Sequence, residues 1–314
     1  MKKSVSIIIP TYNEEESLPV FYEQVKAVIN DLPSYQWQLL FIDDGSKDHT
    51  LKILDDFYDA DNCVDYISFS RNFGKEKAML AGFDYCESDA CIVIDADLQD
   101  PPYLIKDMLK YWEEGYDDVY CKRLDRGKES WMKKKLSLLF YDILDKSTNH
   151  DVLVNVGDFR LLDRKCIDAL TKIRESERYT KGLFGWIGYK KKEILFNREN
   201  RQYGKTHWSY LNLISLAISG ITSFTTAPLR LATIIGFIVG IGSIIYMIWI
   251  ITKVLIWGDP VAGYPTLISV ILFLGSIQLI CIGIMGEYLG RIYNETKQRP
   301  NYLVNQYKKH RSEL

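Results

Sequence analysis

Two carboxylates, Asp95 and Asp97, stand two residues apart just after the apolar run Cys91-Ile92-Val93-Ile94. That run reads as a buried strand ended by a turn signal. Acidic side chains at i and i+2 past a strand end converge as the chain turns, and Gln99 repeats the spacing with a third oxygen ligand. Hard divalent cations such as Mg²⁺ or Mn²⁺ take oxygen ligands of this kind and keep places for water and substrate phosphates. The same residues also suit a solvated loop that starts a helix, with Asp100 at the N-cap and Pro101 at N1. An isolated Asp-x-Asp does not choose between a metal site and a capping turn.

The elements around this loop repeat one arrangement. Residues 5–10 and 39–42 read as buried strands, and each runs into polar residues: Thr11-Tyr12-Asn13-Glu14 after the first, Asp43-Asp44-Gly45-Ser46 after the second. A third strand, 64–69, leads into Arg71-Asn72-Phe73-Gly74-Lys75, and a strand over 118–121 follows a helix predicted from 101 to 114. Helical periodicity runs from 17 to 31, and Ser46 is a predicted N-cap for a helix through Leu51, Leu54 and Phe57. Continuous apolar strands alternating with helices predict an α/β fold with a mostly parallel sheet covered on both faces. Such sheets bind ligands at the carboxyl ends of their strands, where all four polar motifs fall. No G-x-G-x-x-G follows the first strand, which disfavours a dinucleotide-binding domain. Further on, strands are expected over 156–163, carrying Asp158 and Arg160, and over 189–196, before a polar loop with Arg198, Arg201, Gly204 and Lys205. Arg71 and Lys75 stay without an assigned role.

The apolar residues concentrate near the C-terminus. Residues 231–252 and 261–286 carry no charge, and each run exceeds the roughly 20 residues a helix needs to cross a bilayer. Two transmembrane helices are therefore expected. Residues 206–229 are also uncharged, but Asn212, Ser215, Ser219, Thr222 and Thr226 form a polar stripe that suits helices lying in the interface. The segment around Trp131-Met132-Lys133-Lys134-Lys135 reads either as an amphipathic core helix or as a basic helix at an anionic membrane surface. The connecting loop, residues 257–264, has no Lys or Arg, with only Lys253 near it, whereas Lys205, Arg230, Arg291, Lys297 and Arg299 flank the other ends. Positive-inside bias puts the large domain and the tail in the cytoplasm. The expected layout is a cytoplasmic catalytic domain over 1–205, interfacial helices over 206–229, a transmembrane hairpin over 230–288 and a cytoplasmic tail over 289–314. The first apolar stretch is too short for a signal peptide. A net charge of −2 argues against nucleic acid as a partner. The six cysteines show neither C-x-x-C pairs nor matching histidines, so they read as reduced thiols.

Taken together, Pro10-Thr-Tyr-Asn-Glu14, Asp43-Asp44-Gly45-Ser46 and Asp95-Ala-Asp97-Leu-Gln99-Asp-Pro-Pro102 resemble family 2 glycosyltransferases of GT-A fold. The branch they resemble is that of dolichol-phosphate mannose synthase and bacterial undecaprenyl-phosphate (bactoprenol) glucosyltransferases. The Arg201-x-x-Gly204-x-Thr206 loop and the two apolar runs match the bacterial members best, and the resemblance covers essentially the whole chain. It implies that Pro10, Tyr12, Glu14 and Asp43 hold a nucleotide, and that Asp95, Asp97 and Gln99 bind Mg²⁺ or Mn²⁺ with the donor diphosphate. Asp158 falls where the family places a catalytic carboxylate, with Asp97 beside it in the metal loop. Arg123, Arg201 and Lys205 would clamp phosphates.

The implied reaction is inverting transfer of one sugar from a nucleotide-sugar to a polyprenyl phosphate. Glucose from UDP-glucose is the first choice, with N-acetylglucosamine, mannose or aminoarabinose as alternatives. The implied partners are a UDP-sugar, a polyprenyl phosphate, the membrane and further copies of the chain, a tetramer being the suggested state. Because the nucleophile is a phosphate monoester with a second pKa of about 6, it needs little deprotonation at neutral pH. Asp158 therefore reads as an orienting group as readily as a base. A processive polysaccharide synthase would carry Gln-x-x-Arg-Trp and more membrane helices, and neither is visible. A non-catalytic membrane scaffold would be expected to lose its acidic ligands first, and all three are present.

Overall fold

The computed structural model describes residues 2–124, 156–196, 227–257 and 263–310. The chain divides into two units, a sheet unit to which the segment from Arg299 onward returns, and a helical hairpin. The segments around 131–144 and over 197–226, with Arg198, Arg201 and Lys205, lie outside the described residues.

Eight strands form one sheet: β1 Ser4–Thr11, β2 Gln36–Asp43, β3 Val64–Phe69, β4 Ala90–Val93, β5 Asp118–Arg123, β6 Val156–Asp163, β7 Lys191–Phe196 and β8 Val304–Lys308. Their order is β7-β5-β6-β4-β1-β2-β3-β8. Pairings are parallel for β1 with β2 and β4, β2 with β3, and β5 with β7. They are antiparallel where β6 meets β4 and β5, and where β8 meets β3. All strands but β6 and β8 thus point one way, the mostly parallel sheet that the apolar runs predict. Ile7, Ile8, Ile9, Leu39, Leu40, Phe41 and Ile42 are fully buried, as expected where helices cover both faces. Each such side chain contributes about 1.5–3 kcal/mol relative to exposure.

Among the described residues this unit has six helices: α1 Leu18–Asn30, α2 Thr50–Ala60, α3 Lys75–Tyr85, α4 Ile105–Glu113, α5 Arg164–Lys172 and α6 Thr180–Trp186. In α1 the buried residues Leu18, Phe21, Val25 and Ile29 recur at helical spacing and form its core stripe. α3 lies so close to β1 that a Cβ on Gly82 would fall 2.2 Å from the Ile8 side chain. Two helix starts differ from the sequence reading. α2 opens at Thr50, because the Ser46 hydroxyl accepts the Asn13 N–H at 2.9 Å and does not cap a helix. A 3₁₀ turn, Pro102–Leu104, precedes α4 with Pro101 at its cap, so Asp100 does not serve as N-cap.

The segment expected as a tail is helical to Thr296 and then adds β8 to the edge of the sheet. Tyr302 stacks on Phe69 with ring centroids 5.1 Å apart, and its hydroxyl donates to Asp84 at 2.6 Å. His310 stacks on Tyr58, and Gln306 donates to the Tyr66 hydroxyl. An unpaired edge beside β3 is covered this way, which removes a pairing surface open to other chains.

The second unit is α7, Ala227–Trp257, and α8, Tyr264–Thr296. The two helices touch where the Cys281 thiol faces the Ala232 carbonyl at 3.8 Å. Phe237, Ile245, Leu255, Phe273 and Leu279 all turn outward. Within α8, Phe273–Thr296 is long and apolar enough to cross a membrane by length and composition.

Candidate functional site

The reversal of β6 assembles the site. The carboxyl ends of β1, β2, β3, β4 and β5 share one edge of the sheet, and an antiparallel β6 brings its beginning to that same edge. Val93 pairs with Arg160, so continuing the register by two residues sets Asp95 opposite Asp158. Asp158 is 7 % exposed.

Between these carboxylates stands Lys75, the first residue of α3. Its ammonium lies 2.6 Å from Asp95 Oδ1, 2.7 Å from Asp95 Oδ2 and 2.6 Å from Asp158 Oδ2. Burial works against the Lys75 charge, but Asp158 and Asp95 outweigh it and hold its pKa above the usual lysine value. Burial likewise opposes ionisation of Asp158, and Lys75 with Lys181 overcomes it, keeping this carboxyl well below the ordinary range. Lys181 approaches the other oxygen of Asp158, Oδ1, at 4.0 Å. Beside them, burial and the Asp158 charge push the Glu76 carboxyl upward, while Glu76 accepts the Thr180 N–H at 2.8 Å.

The loop that delivers Lys75 is held by Asp44, whose two oxygens accept the N–H groups of Phe73 and Gly74 at 2.6 and 2.8 Å. Gly45 permits this contact between loops. Its φ of +67° favours glycine, and a Cβ there would lie 2.5 Å from the Arg71 carbonyl carbon. Asp43 is almost fully buried and accepts from Ser46 N at 3.1 Å and from the Ser68 hydroxyl at 2.8 Å. Asp43 therefore sets the strand-to-helix turn, and Asp44 links that turn to the next one.

Pro10 and Tyr12 stand at the end of β1, Tyr12 being 41 % exposed. The Glu14 N–H donates to the Thr50 hydroxyl, and its carboxylate accepts from Ser17. In the acidic loop Asp97 Oδ1 accepts Gln99 N–H at 3.2 Å, and Leu98 adopts φ +59°. A left-handed non-glycine residue is uncommon and marks a loop shaped by its surroundings. Among the described residues no group of three or more His, Cys, Asp or Glu side chains could hold a metal. Asp95, Asp97 and Gln99 are oxygen donors of the type a hard cation takes together with substrate phosphates, and here both Asp95 oxygens face the Lys75 ammonium. At the end of β5, Arg123 lies beside Gly157, whose added Cβ would be 3.3 Å from Nη2. The edge therefore gathers Pro10, Tyr12, Asp43, Asp95 and Arg123 from strand ends, Glu14, Asp97 and Gln99 from the loops that follow, and Asp158 from the start of β6.

Arg160 hydrogen-bonds Asp118 and not Asp158, although its charge also favours the ionised Asp158 carboxyl. It is fully buried and points to Asp118 at 3.0 Å, with its guanidinium 3.6 Å from the Phe184 ring centroid. Lys75 was present in the sequence as a motif residue without a role. Lys181 and Glu76 had no local signal at all, because only the packing of α6 over the start of β6 brings Lys181 to Asp158 and Thr180 to Glu76.

A family model described as glycosyl transferase family 2 matches residues 6–171, the span holding every one of these motifs through Asp158. The chain belongs to glycosyl transferase family 2. A second model, the GtrB C-terminal hairpin, matches residues 227–292 of this glycosyltransferase, the two helices α7 and α8. It is 44% identical over 96% of its length to the putative glycosyltransferase CsbB of Bacillus subtilis, of which 91% is covered. It is 43% identical to the prophage bactoprenol glucosyl transferase homolog of Escherichia coli, covering 97% of this chain and 99% of that one. The bactoprenol glucosyl transferase of Shigella phage SfV is 42% identical over 96% of this chain and 97% of its own.

Proposed function

We propose that this glycosyltransferase moves a single glucosyl residue, with inversion, from UDP-glucose to undecaprenyl or another polyprenyl phosphate at the cytoplasmic face of a membrane. The observation that carries the reading is the meeting of Asp95 and Asp158 across the Lys75 ammonium, at the ligand-binding edge of the sheet. Relatives named bactoprenol glucosyl transferase, similar over nearly their whole length, support the acceptor and the sugar. In the same reading α7 and α8 cross the membrane as a hairpin, residues 206–229 lie at its inner interface, and copies of the chain assemble, a tetramer being the suggested state.

Pro10, Tyr12, Glu14 and Asp43 would hold the nucleotide base and ribose. Asp95, Asp97 and Gln99 would hold Mg²⁺ or Mn²⁺, which when bound neutralises charge on the diphosphate that leaves. A phosphate oxygen of the acceptor forms the new bond to the anomeric carbon while the bond to the UDP oxygen breaks on the opposite face. UDP departs with that electron pair. Most of the acceptor is already dianionic at neutral pH, since its second pKa is about 6. A carboxylate held far below that value is a weak proton acceptor. Asp158 accordingly serves to fix Lys75 and orient the acceptor, and proton removal is not its task. Arg123, Arg201 and Lys205 complete the reading as phosphate clamps.

The test is incubation of membranes containing the protein with labelled UDP-sugars and undecaprenyl phosphate, with and without EDTA. Label from UDP-glucose is expected in the organic phase, and EDTA is expected to abolish it. Transfer from no nucleotide-sugar would overturn the reading.

A further inference from the structure

The two oxygens of Asp158 look in different directions. Oδ2 meets Lys75 and, through it, Asp95 and the acidic loop. Oδ1 is buried and has no hydrogen-bond partner. Among the described residues the cation that approaches it is Lys181, at 4.0 Å, beyond hydrogen-bonding distance. Among the described residues Lys181 donates no hydrogen bond, and its side chain is 40 % exposed. An ammonium has three donors, and an anionic carboxylate holds it nearby without consuming them.

Its location is imposed by two contacts of α6. Glu76, next to Lys75 in sequence, accepts the Thr180 N–H. One helical turn past Lys181, Phe184 stacks on the sealed Arg160 guanidinium. Lys181 is thereby fixed over the start of β6 by residues on either side of it.

We propose that Lys181 binds the acceptor's phosphate monoester and that Glu76 is the residue that positions it. The inference rests on the glucosyl-transfer reading and deepens it. A phosphate cannot sit on Asp158 itself, because like charges repel. It meets Lys181 on the Oδ1 side of Asp158, whereas the donor diphosphate belongs with the acidic loop that Oδ2 reaches through Lys75 and Asp95. The alternative source of the same chemistry is that donor diphosphate, and the two make opposite predictions. Charge-assisted hydrogen bonds to phosphate are among the stronger ones, so loss of one is a measurable change in affinity.

The test uses full-length protein in detergent, with undecaprenyl phosphate and UDP-glucose varied separately. Lys181→Ala is expected to raise KM for undecaprenyl phosphate about tenfold, the change that loss of a charged hydrogen bond produces. KM for UDP-glucose should stay within about twofold of the parent, and Lys181→Arg should recover much of the loss. Glu76→Ala should raise the acceptor KM in the same direction, and Glu76→Gln, which keeps an acceptor for Thr180 N–H, should raise it less. A rise confined to KM for UDP-glucose, or a fall in kcat with both KM values unchanged, would overturn the proposal.

Chemical acetylation of the parent protein gives a second reading that needs no variant. Undecaprenyl phosphate should protect Lys181 from an amine-reactive ester, whereas UDP should not. Protection by UDP alone, or by neither, counts against the proposal. If the parent transfers no glucose, the glucosyl-transfer reading fails. If it transfers and Lys181→Ala leaves the acceptor KM unchanged, only this inference fails.

Discussion

Asp158 and Arg160 are separated by one residue on β6 and lie on the same face of the sheet, yet they live by different rules. Arg160 is fully enclosed, paired with the fully buried Asp118 and capped by Phe184. Asp158 stands beyond the last residue of β6 paired with β4, although pairing with β5 continues to Val156, and its partner Lys75 is 41 % exposed. The first pair is closed to any ligand. The second shares one ammonium between two carboxylates at an open edge, so a charged substrate is able to compete for it. Position along the strand, and not residue type, separates the closed ion pair from the open one.

The largest effect should come from breaking the closed pair. Arg160→Ala leaves the Asp118 charge buried without compensation, and removal of one partner of such a pair costs about 3–5 kcal/mol. Thermal unfolding of the catalytic unit should show a large drop in midpoint. Replacing both partners, Arg160→Met with Asp118→Leu, should recover most of it. If the double replacement is no better than the single one, the pair does more than fill space.

Changes at the open edge should spare stability and reduce transfer. Asp97→Asn is expected to lower glucosyl transfer by roughly two to three orders of magnitude, the scale on which lost electrostatic stabilisation of a reacting centre is felt. Asp158→Asn should retain more, a loss of about tenfold, since loss of a true general base costs roughly 10² to 10⁴. Equal and complete losses in folded protein would make Asp158 the base after all.

Lys75→Met should fall between these two. Combined with Asp158→Asn it should cost less than the product of the single losses, because each change removes the same contact. Strict additivity in the measured rates would mean that Lys75 acts on the donor independently of Asp158.

The smallest effect concerns pH. Asp158 has a depressed folded-state pKa, so its contribution to stability is present above the unfolded value of about 3.9 and is lost only as pH falls through the lower folded value. It therefore stays charged throughout the working range. The acid limb of kcat/KM should instead follow the acceptor phosphate, with a midpoint near its second pKa of about 6. Asp158→Asn should leave that midpoint within about half a unit. A limb that disappears in the variant would assign the titration to Asp158.

Much of this molecule was legible residue by residue. The buried strands announced themselves as short apolar runs, since a strand covered on both faces needs apolar side chains at every position. The polar motifs followed the strands because ligand-binding loops sit at their carboxyl ends. The same local logic placed Asp95, Asp97 and Gln99 in one loop and marked the apolar runs that became α7 and α8. Helix starts were less legible. The Ser46 hydroxyl that suits a cap bonds Asn13 instead, a choice made by a residue far away in sequence.

What the chain could not disclose locally was pairing. Lys75 meets Asp158 across 83 residues of sequence, and Thr180 meets Glu76 across 104. Neither contact leaves a periodic trace, because each depends on the direction in which β6 runs and on where α6 packs. The strand Val304–Lys308 was hidden for a related reason. It is short and largely polar, as an edge strand is, and β3 supplies its hydrogen bonds. Side-chain chemistry and periodicity are properties of short segments, so sequence carries them openly. The partner of a charge is a property of topology, and only the folded sheet set Asp158 against Lys75 and Arg160 against Asp118.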